Sequence, residues 1–343
     1  MDSLAARWLD RAPAGWADLA AADPKASPSH RPEVAAAFVA ALPGFEQRFA
    51  AVERDGALVG GAPMLVERRA GTHWLHSLPM LLSGAPIARA GEHAGVDVAV
   101  AGAIAGLAAQ LGAAGGEWAL YRAGTPVDAA ALESVGGETR WLEASVVDLA
   151  GGAEAALQRV SRKHRQAMRA ARERGLRFAE DPAALQGAYA LHLAQSRAWG
   201  THRALPLPLS RELLASGGGQ PAARLFTIRR RGELVSAALA LDGPHETFVW
   251  WSGTHPEGRR LNAFPLLLWG IVEWAAAAGR ARVNLGASTG LQMVASFKSS
   301  MGAASVRYPV RWLDARHAGA PARAIGWLQG LVRRGRERGE ERA

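Results

Sequence analysis

From residue 223 to 302 the apolar positions first alternate with polar ones and then recur at helical spacing. The run RLFTIRRRGELVSAALALDGPHETFVW reads as three strands, near 224–230, 234–241 and 246–251. Arg231-Gly232-Glu233 and Asp242-Gly243-Pro244 are the polar, glycine-bearing joints between them. A helix over 262–278 follows, with Leu266, Trp269, Ile271, Val272 and Trp274 giving it an apolar face broad enough to lie on a sheet. Gly279 stops it, and Val283 and Leu285 sit on a returning strand. A meander, one long helix and a returning strand make an α/β unit around a mixed sheet.

The first half repeats this order loosely. A helix is expected over about 33–41, then a hairpin, 45–53 and 57–68, turning at Arg54-Asp55-Gly56. Within it, Gly60 and Gly61 stand where a side chain would crowd a neighbour. Residues 71–92 read as irregular, with His73, Trp74, His76 and Pro79 suited to lining a cleft. A helix over 96–113, ended by Gly115-Gly116, and strands over 117–122 and 141–149 complete this half. The expected organisation is a first domain over 1–150, a basic linking helix and strand over 151–180, a second domain over 181–316 and a basic tail over 317–343. The second domain opens with a helix over 182–199 capped by Asp181, then a loop over 200–208 and a short helix over 211–215 capped by Ser210. A short helix ending near Lys298 and a strand over 304–312 close it.

Composition narrows the function. A 343-residue chain with 49% hydrophobic residues can build two cores. With no cysteine, disulfides, thiolate metal sites and a cysteine nucleophile are excluded. No uninterrupted apolar span and no leader pattern are apparent, so a cytoplasmic protein is expected. Net charge of +9 favours phosphate-bearing partners. That charge concentrates on a helix expected over 154–174, where Arg159, Arg162, Lys163, Arg165, Arg169, Arg172 and Arg174 leave Glu173 as the one acid from Arg159 onward. Such one-signed repulsion calls for an anion to offset it. The tail from Pro321 is a second arginine-rich stretch, suited to docking on the core, to peripheral contact with a membrane or to fraying.

The ten histidines lack paired ligand spacing, so no metal site is expected. Walker and GxGxxG patterns are absent as well. Lys298 is the candidate that remains. It follows an apolar run beside Phe297, where an ammonium can hold a phosphate or meet an oxyanion.

Three groups of residues carry a family resemblance. Ser161-x-Lys163-x-Arg165, Met168-Arg169-Ala170-Ala171 and Gly175-Leu176 form the first. Asn262-Ala263-Phe264-Pro265-Leu266-Leu267-Leu268-Trp269 is the second, and Asn284-Leu285-Gly286 with Phe297-Lys298 and Met301-Gly302 the third. In this order they resemble the FemAB-like proteins, peptidyl- and aminoacyltransferases built from two GNAT-like domains. The resemblance spans roughly 35–312. It implies an α/β fold of tandem GNAT-like (acyl-CoA N-acyltransferase) domains, each a mixed twisted sheet flanked by helices. It also implies acyl transfer to an amine, with acyl-CoA or aminoacyl-tRNA as cosubstrate and no tightly bound cofactor. The chain lacks the long coiled-coil arm of the peptidoglycan branch and a clear GNAT pyrophosphate loop, so the donor stays open. On this reading Lys298 meets the oxyanion or a donor phosphate, Lys163, Arg165 and Arg169 hold phosphates of the donor or the acceptor, and Phe297 borders the donor site. Backbone N–H groups from a bulged strand near 249–252 assist, and Asp242 or Glu246 is the general base. Cell-envelope or polysaccharide metabolism is the context some relatives suggest. A second class fits the same basic helix: a nucleic-acid-binding protein without catalysis, with steep salt dependence and no turnover.

Overall fold

The computed structural model describes residues 4–80, 82–122, 129–198, 204–216, 220–288 and 291–313. The expected tail helix and the Gly217–Gly219 excursion fall outside these residues. In chain order the elements begin with β1 (Ala6–Leu9), α1 (Trp16–Ala22), α2 (Pro32–Ala41), β2 (Phe45–Arg54), β3 (Ala57–Arg69), β4 (Thr72–His76) and β5 (Ile87–Ala88). Next come α3 (His93–Leu111), β6 (Gly115–Ala119), α4 (Ala129–Ser134), β7 (Glu138–Asp148), α5 (Gly152–Arg159), α6 (Arg162–Glu173) and β8 (Leu176–Glu180). The remainder are α7 (Leu185–Ala198), α8 (Leu207–Ala215), β9 (Ala223–Arg230), β10 (Glu233–Asp242), β11 (Glu246–Thr254), α9 (Pro256–Arg260), α10 (Ala263–Ala277), β12 (Arg282–Ala287), α11 (Gln292–Ser300) and β13 (Ala304–Leu313).

The chain forms two compact units whose segments interleave. One comprises residues up to 23, 43–141 and from 309 onward; the other comprises 24–42 and 142–308. Unit borders thus fall inside β7 and β13, and α2 belongs with the later half of the chain.

In the first unit β1, β2, β3, β4, β6 and the end of β13 lie side by side, with β5 pairing β3. The β2–β3 hairpin turns through Asp55 and Gly56, both at positive φ. A Cβ on Gly60 would meet Val96 at 2.5 Å, and one on Gly61 would meet the Ala50 carbonyl at 2.1 Å, so both glycines are demanded by close approach. β4 runs through the segment expected to be irregular; its five residues carry too little alternation to be seen. Helix α3 ends at Gly112 in the left-handed region, before the Gly115-Gly116 pair, which enters β6 instead. By length and composition α3 could cross a membrane. Here it lays Val96, Val100, Ile104 and Leu107 into the core formed with β2, β3 and Trp118.

In the second unit the order is β7-β12-β11-β10-β9-β8, with β11 and β12 parallel and the other pairs antiparallel. The parallel pair needs a crossover, supplied by α9 and α10. Helices α5, α6 and α10 share a core with Ala238, Ala240 and Val249 on one face of the sheet. The other face carries α7, against β10 and β11, and α8, against β9 and α2. The basic helix expected as one piece is two. Val160 is extended, and Ser161 caps α6 by accepting a bond from the His164 N–H. A β-branched residue followed by a serine favours a break at this point. Two other expected caps do different work: Asp181 pairs with Arg229 at 2.9 Å, and Ser210 lies inside α8, where it accepts a bond from Trp251 Nε1 at 3.2 Å.

Candidate active site at the divergence of β11 and β12

β11 and β12 pair only through Glu246↔Arg282, Thr247↔Val283 and Phe248↔Asn284. Both strands run on, β11 to Thr254 and β12 to Ala287. Each is distorted just past the last pair. On β11 the partner of Leu239 is Trp251 and that of Ala240 is Val249, so Trp250 is an inserted bulge residue. On β12, Asn284 faces Val146 and Ala287 faces Ala144, so one residue is extra there too. Gly286 sits in this bulge at φ 75°, a conformation glycine adopts without strain. The Asn284 side-chain oxygen accepts the Gly286 N–H at 2.8 Å, and the Asn284 amide donates to Glu246 at 3.2 Å. Divergence at the carboxyl ends of parallel strands is where α/β sheets open for ligands.

Lys298 reaches this opening from α11. Its ammonium donates to the carbonyls of Gly286 at 2.9 Å and Ala287 at 2.8 Å. The side chain is 9% exposed, and burial pushes its pKa down to about 8. Two carbonyls occupy two of its three protons, leaving one donor position. Beside it Phe297 stacks on Phe264 at 5.5 Å and meets the His164 ring edge-on at 5.3 Å. Burial and the neighbouring Lys163 hold His164 below its ordinary pKa, so its imidazole is neutral at pH 7.

The other candidates separate. Lys163 and Arg169 are exposed on α6. Arg165 instead donates to the Val160 carbonyl at the end of α5, holding the helix break together. Asp242 is buried and receives both nitrogens of the Arg280 fork at 2.9 Å and Arg224 at 3.2 Å. Glu246 is buried and receives Arg282 at 2.6 Å. Arg282 also donates to the carbonyls of Pro24 and Ala26, at 2.8 and 3.0 Å. These two acids therefore hold fixed cations at the paired end of the sheet, and neither is placed as a general base. Two residues of the site were not singled out from the sequence for these roles: His164 and Asn284. The Asn284-x-Gly286 spacing within a strand was the available signal for the last.

Among the described residues no group of three metal-ligating side chains is placed to hold a metal ion.

Residues 158–299 match the family model of the acetyltransferase (GNAT) domain. Around that match the whole chain resembles the crystal structure of FemX, with a TM-score of 0.68 at 12% identity over 89% of this chain and 96% of that one. It also resembles the C-terminal domain of a putative lysylphosphatidylglycerol synthetase from Agrobacterium fabrum, with a TM-score of 0.56 at 14% identity over 92% and 96%. No curated protein matches the chain in sequence. The fold is that of FemX, and the match to the acetyltransferase (GNAT) domain model falls on residues 158–299.

Proposed function

We propose that this protein transfers an acyl or aminoacyl group from a phosphate-bearing donor, acyl-CoA or aminoacyl-tRNA, to an amine. The observation that carries the reading is the opening between β11 and β12, bulged on both sides and bordered by a buried lysine. Past Phe248 the two strands no longer ladder with each other, which leaves a gap between them where a donor carbonyl can meet backbone N–H groups of β11. The neutral amine attacks the donor carbonyl carbon. The C–S bond of a thioester or the C–O bond of an ester then breaks, and the nitrogen loses its proton to the leaving group or to water. The third proton of Lys298 meets the developing oxyanion or a donor phosphate. Lys163 and Arg169 grip the donor's charged portion, Phe297 packs against the donor, and Arg165 supports them by fixing the α5–α6 break.

With the buried acids committed to arginines, deprotonation relies on water or on the substrates themselves. The likeness to a domain of a putative lysylphosphatidylglycerol synthetase is one reason to include amine acceptors of the cell envelope or its polysaccharides in the trial.

The test is incubation of the purified chain with acetyl-CoA and, separately, charged tRNA, each with a panel of amines, followed by mass spectrometry. An acylated amine that depends on Lys298 supports the reading. Tight, salt-sensitive RNA binding with no acylated product from any pair would replace it with a nucleic-acid-binding role.

A further inference from the structure

We propose that His192 is a positioning residue. It ties the segment entering α8 to the end of β11 beyond its pairing with β12, and that segment forms the acceptor-amine wall of the site. The proposal rests on the acyltransferase reading above.

His192 is 2% exposed on α7. Its Nδ1 lies 3.2 Å from the Ser252 carbonyl on β11, and its Nε2 lies 3.2 Å from the Leu205 N–H. A carbonyl only accepts and a backbone N–H only donates, so these two partners fix the tautomer. Nδ1 carries the hydrogen and Nε2 accepts. The ring is thus a neutral strut between two backbone segments, with no proton to pass while both bonds stand. It is clamped by stacking on Trp251 at 4.8 Å, and the Trp251 indole in turn donates to Ser210 of α8. Gly253 lets α7 come this close: a Cβ there would meet the backbone of Leu191 and His192 at 2.4 Å. Gln195, a turn further on, accepts the Thr254 N–H at 3.2 Å. β11 is therefore fastened to α7 at Ser252 and Thr254, and through His192 to residue 205.

The bulge explains why this face is distinct. Val249 lies in the core shared with α6 and α10, while Trp251, two residues later, stacks on α7. Residues two apart on a regular strand share a face, and the extra residue, Trp250, switches them. The gap is consequently flanked by two different walls. On the α6–α10 side lie Phe297 of α11, packed on Phe264 of α10 and His164 of α6, and the cationic helix α6 with exposed Lys163 and Arg169, chemistry suited to a phosphate-bearing donor. The α7–α8 wall is left for the amine, and its entry segment, 204–207, is half-buried and held in place by the imidazole.

The test compares His192→Phe, which keeps the stack and loses both bonds, with His192→Gln, whose amide oxygen can still accept from Leu205. In His192→Phe the KM for the amine should rise about tenfold or more, as expected for a lost binding wall, with donor Kd changed by less than about twofold. Amide exchange at Leu205 should quicken by about tenfold or more. His192→Gln should recover much of both effects. Equal changes in donor Kd and amine KM, or no difference between the two variants, would overturn the acceptor role. Unchanged exchange at Leu205 in an active His192→Phe enzyme would overturn the tether itself. If the wild type acylates no amine, the acceptor role falls with the reading it rests on, while the exchange measurement still decides the tether.

Discussion

Replacing Lys298 by methionine separates what this side chain costs from what it does. The ammonium is nearly buried, and its pKa falls from 10.5 to about 8, so at about 1.4 kcal/mol per tenfold the site disfavours the charge by roughly 3 kcal/mol. Methionine removes that penalty and fills similar space. It leaves the Gly286 and Ala287 carbonyls without their donor, at roughly 1–3 kcal/mol each if water cannot reach them. The opposing terms nearly cancel, and unfolding in urea should show a net change within about 2 kcal/mol. The rate should behave differently, because a donor to the oxyanion or phosphate is worth about 10²–10³ in turnover. The assay pairs urea unfolding with initial rates on the same preparation. A rate within tenfold of wild type would refute the catalytic assignment. A stability loss above about 4 kcal/mol together with lost activity would make Lys298 a structural prop instead.

Three further outcomes follow from the same geometry. With the folded pKa of Lys298 near 8 and the unfolded value at 10.5, the unfolded chain binds more protons between them. This group's contribution to stability therefore rises with pH across that window, while activity that needs the ammonium falls above about pH 8. In pH–rate profiles Lys298→Arg should lose this basic limb, and a limb unchanged by the substitution would assign it to another group. Arg282→Ala strands the Glu246 carboxylate and should cost about 3–5 kcal/mol in urea unfolding, much of it recovered in the double variant Arg282→Met with Glu246→Leu. Gly253→Ala forces α7 off β11 and should cost about 1–3 kcal/mol by the same measurement; a change below about 0.5 kcal/mol would mean that α7 moves aside freely.

The meander β9–β10–β11, helix α10 and strand β12 were legible because their signals are local: alternation, glycine-bearing turns and one broad apolar face. The bulge near Trp250 and the crowding at Gly60 and Gly61 were legible in kind. The break at Val160–Ser161 was missed because cationic residues on both sides favour helix and hid a one-residue cap. Asp242 and Glu246 were read as general-base candidates with no sign of their ion pairs, because the partners, Arg280 and Arg282, lie 38 and 36 residues away. Pairing at such separation leaves no trace in a window of one helix or strand. The same holds for His192, whose two partners sit 60 and 13 residues from it. Lys298 could be singled out because an isolated lysine at the end of an apolar run is itself a local anomaly.

The bond from Arg282 to the Pro24 carbonyl joins positions 258 residues apart. A ribosome adding about 5–20 residues per second makes the early segment wait roughly 13 to 50 s for that arginine. Throughout this interval Val34 and Phe38, both fully buried at the end, have no finished seat. A fragment started at residue 142 would inherit the opposite defect, an empty seat with nothing to fill it. Vectorial synthesis thus cannot complete the later unit piecemeal, and a chaperone able to shelter a short apolar helix would shorten the exposure.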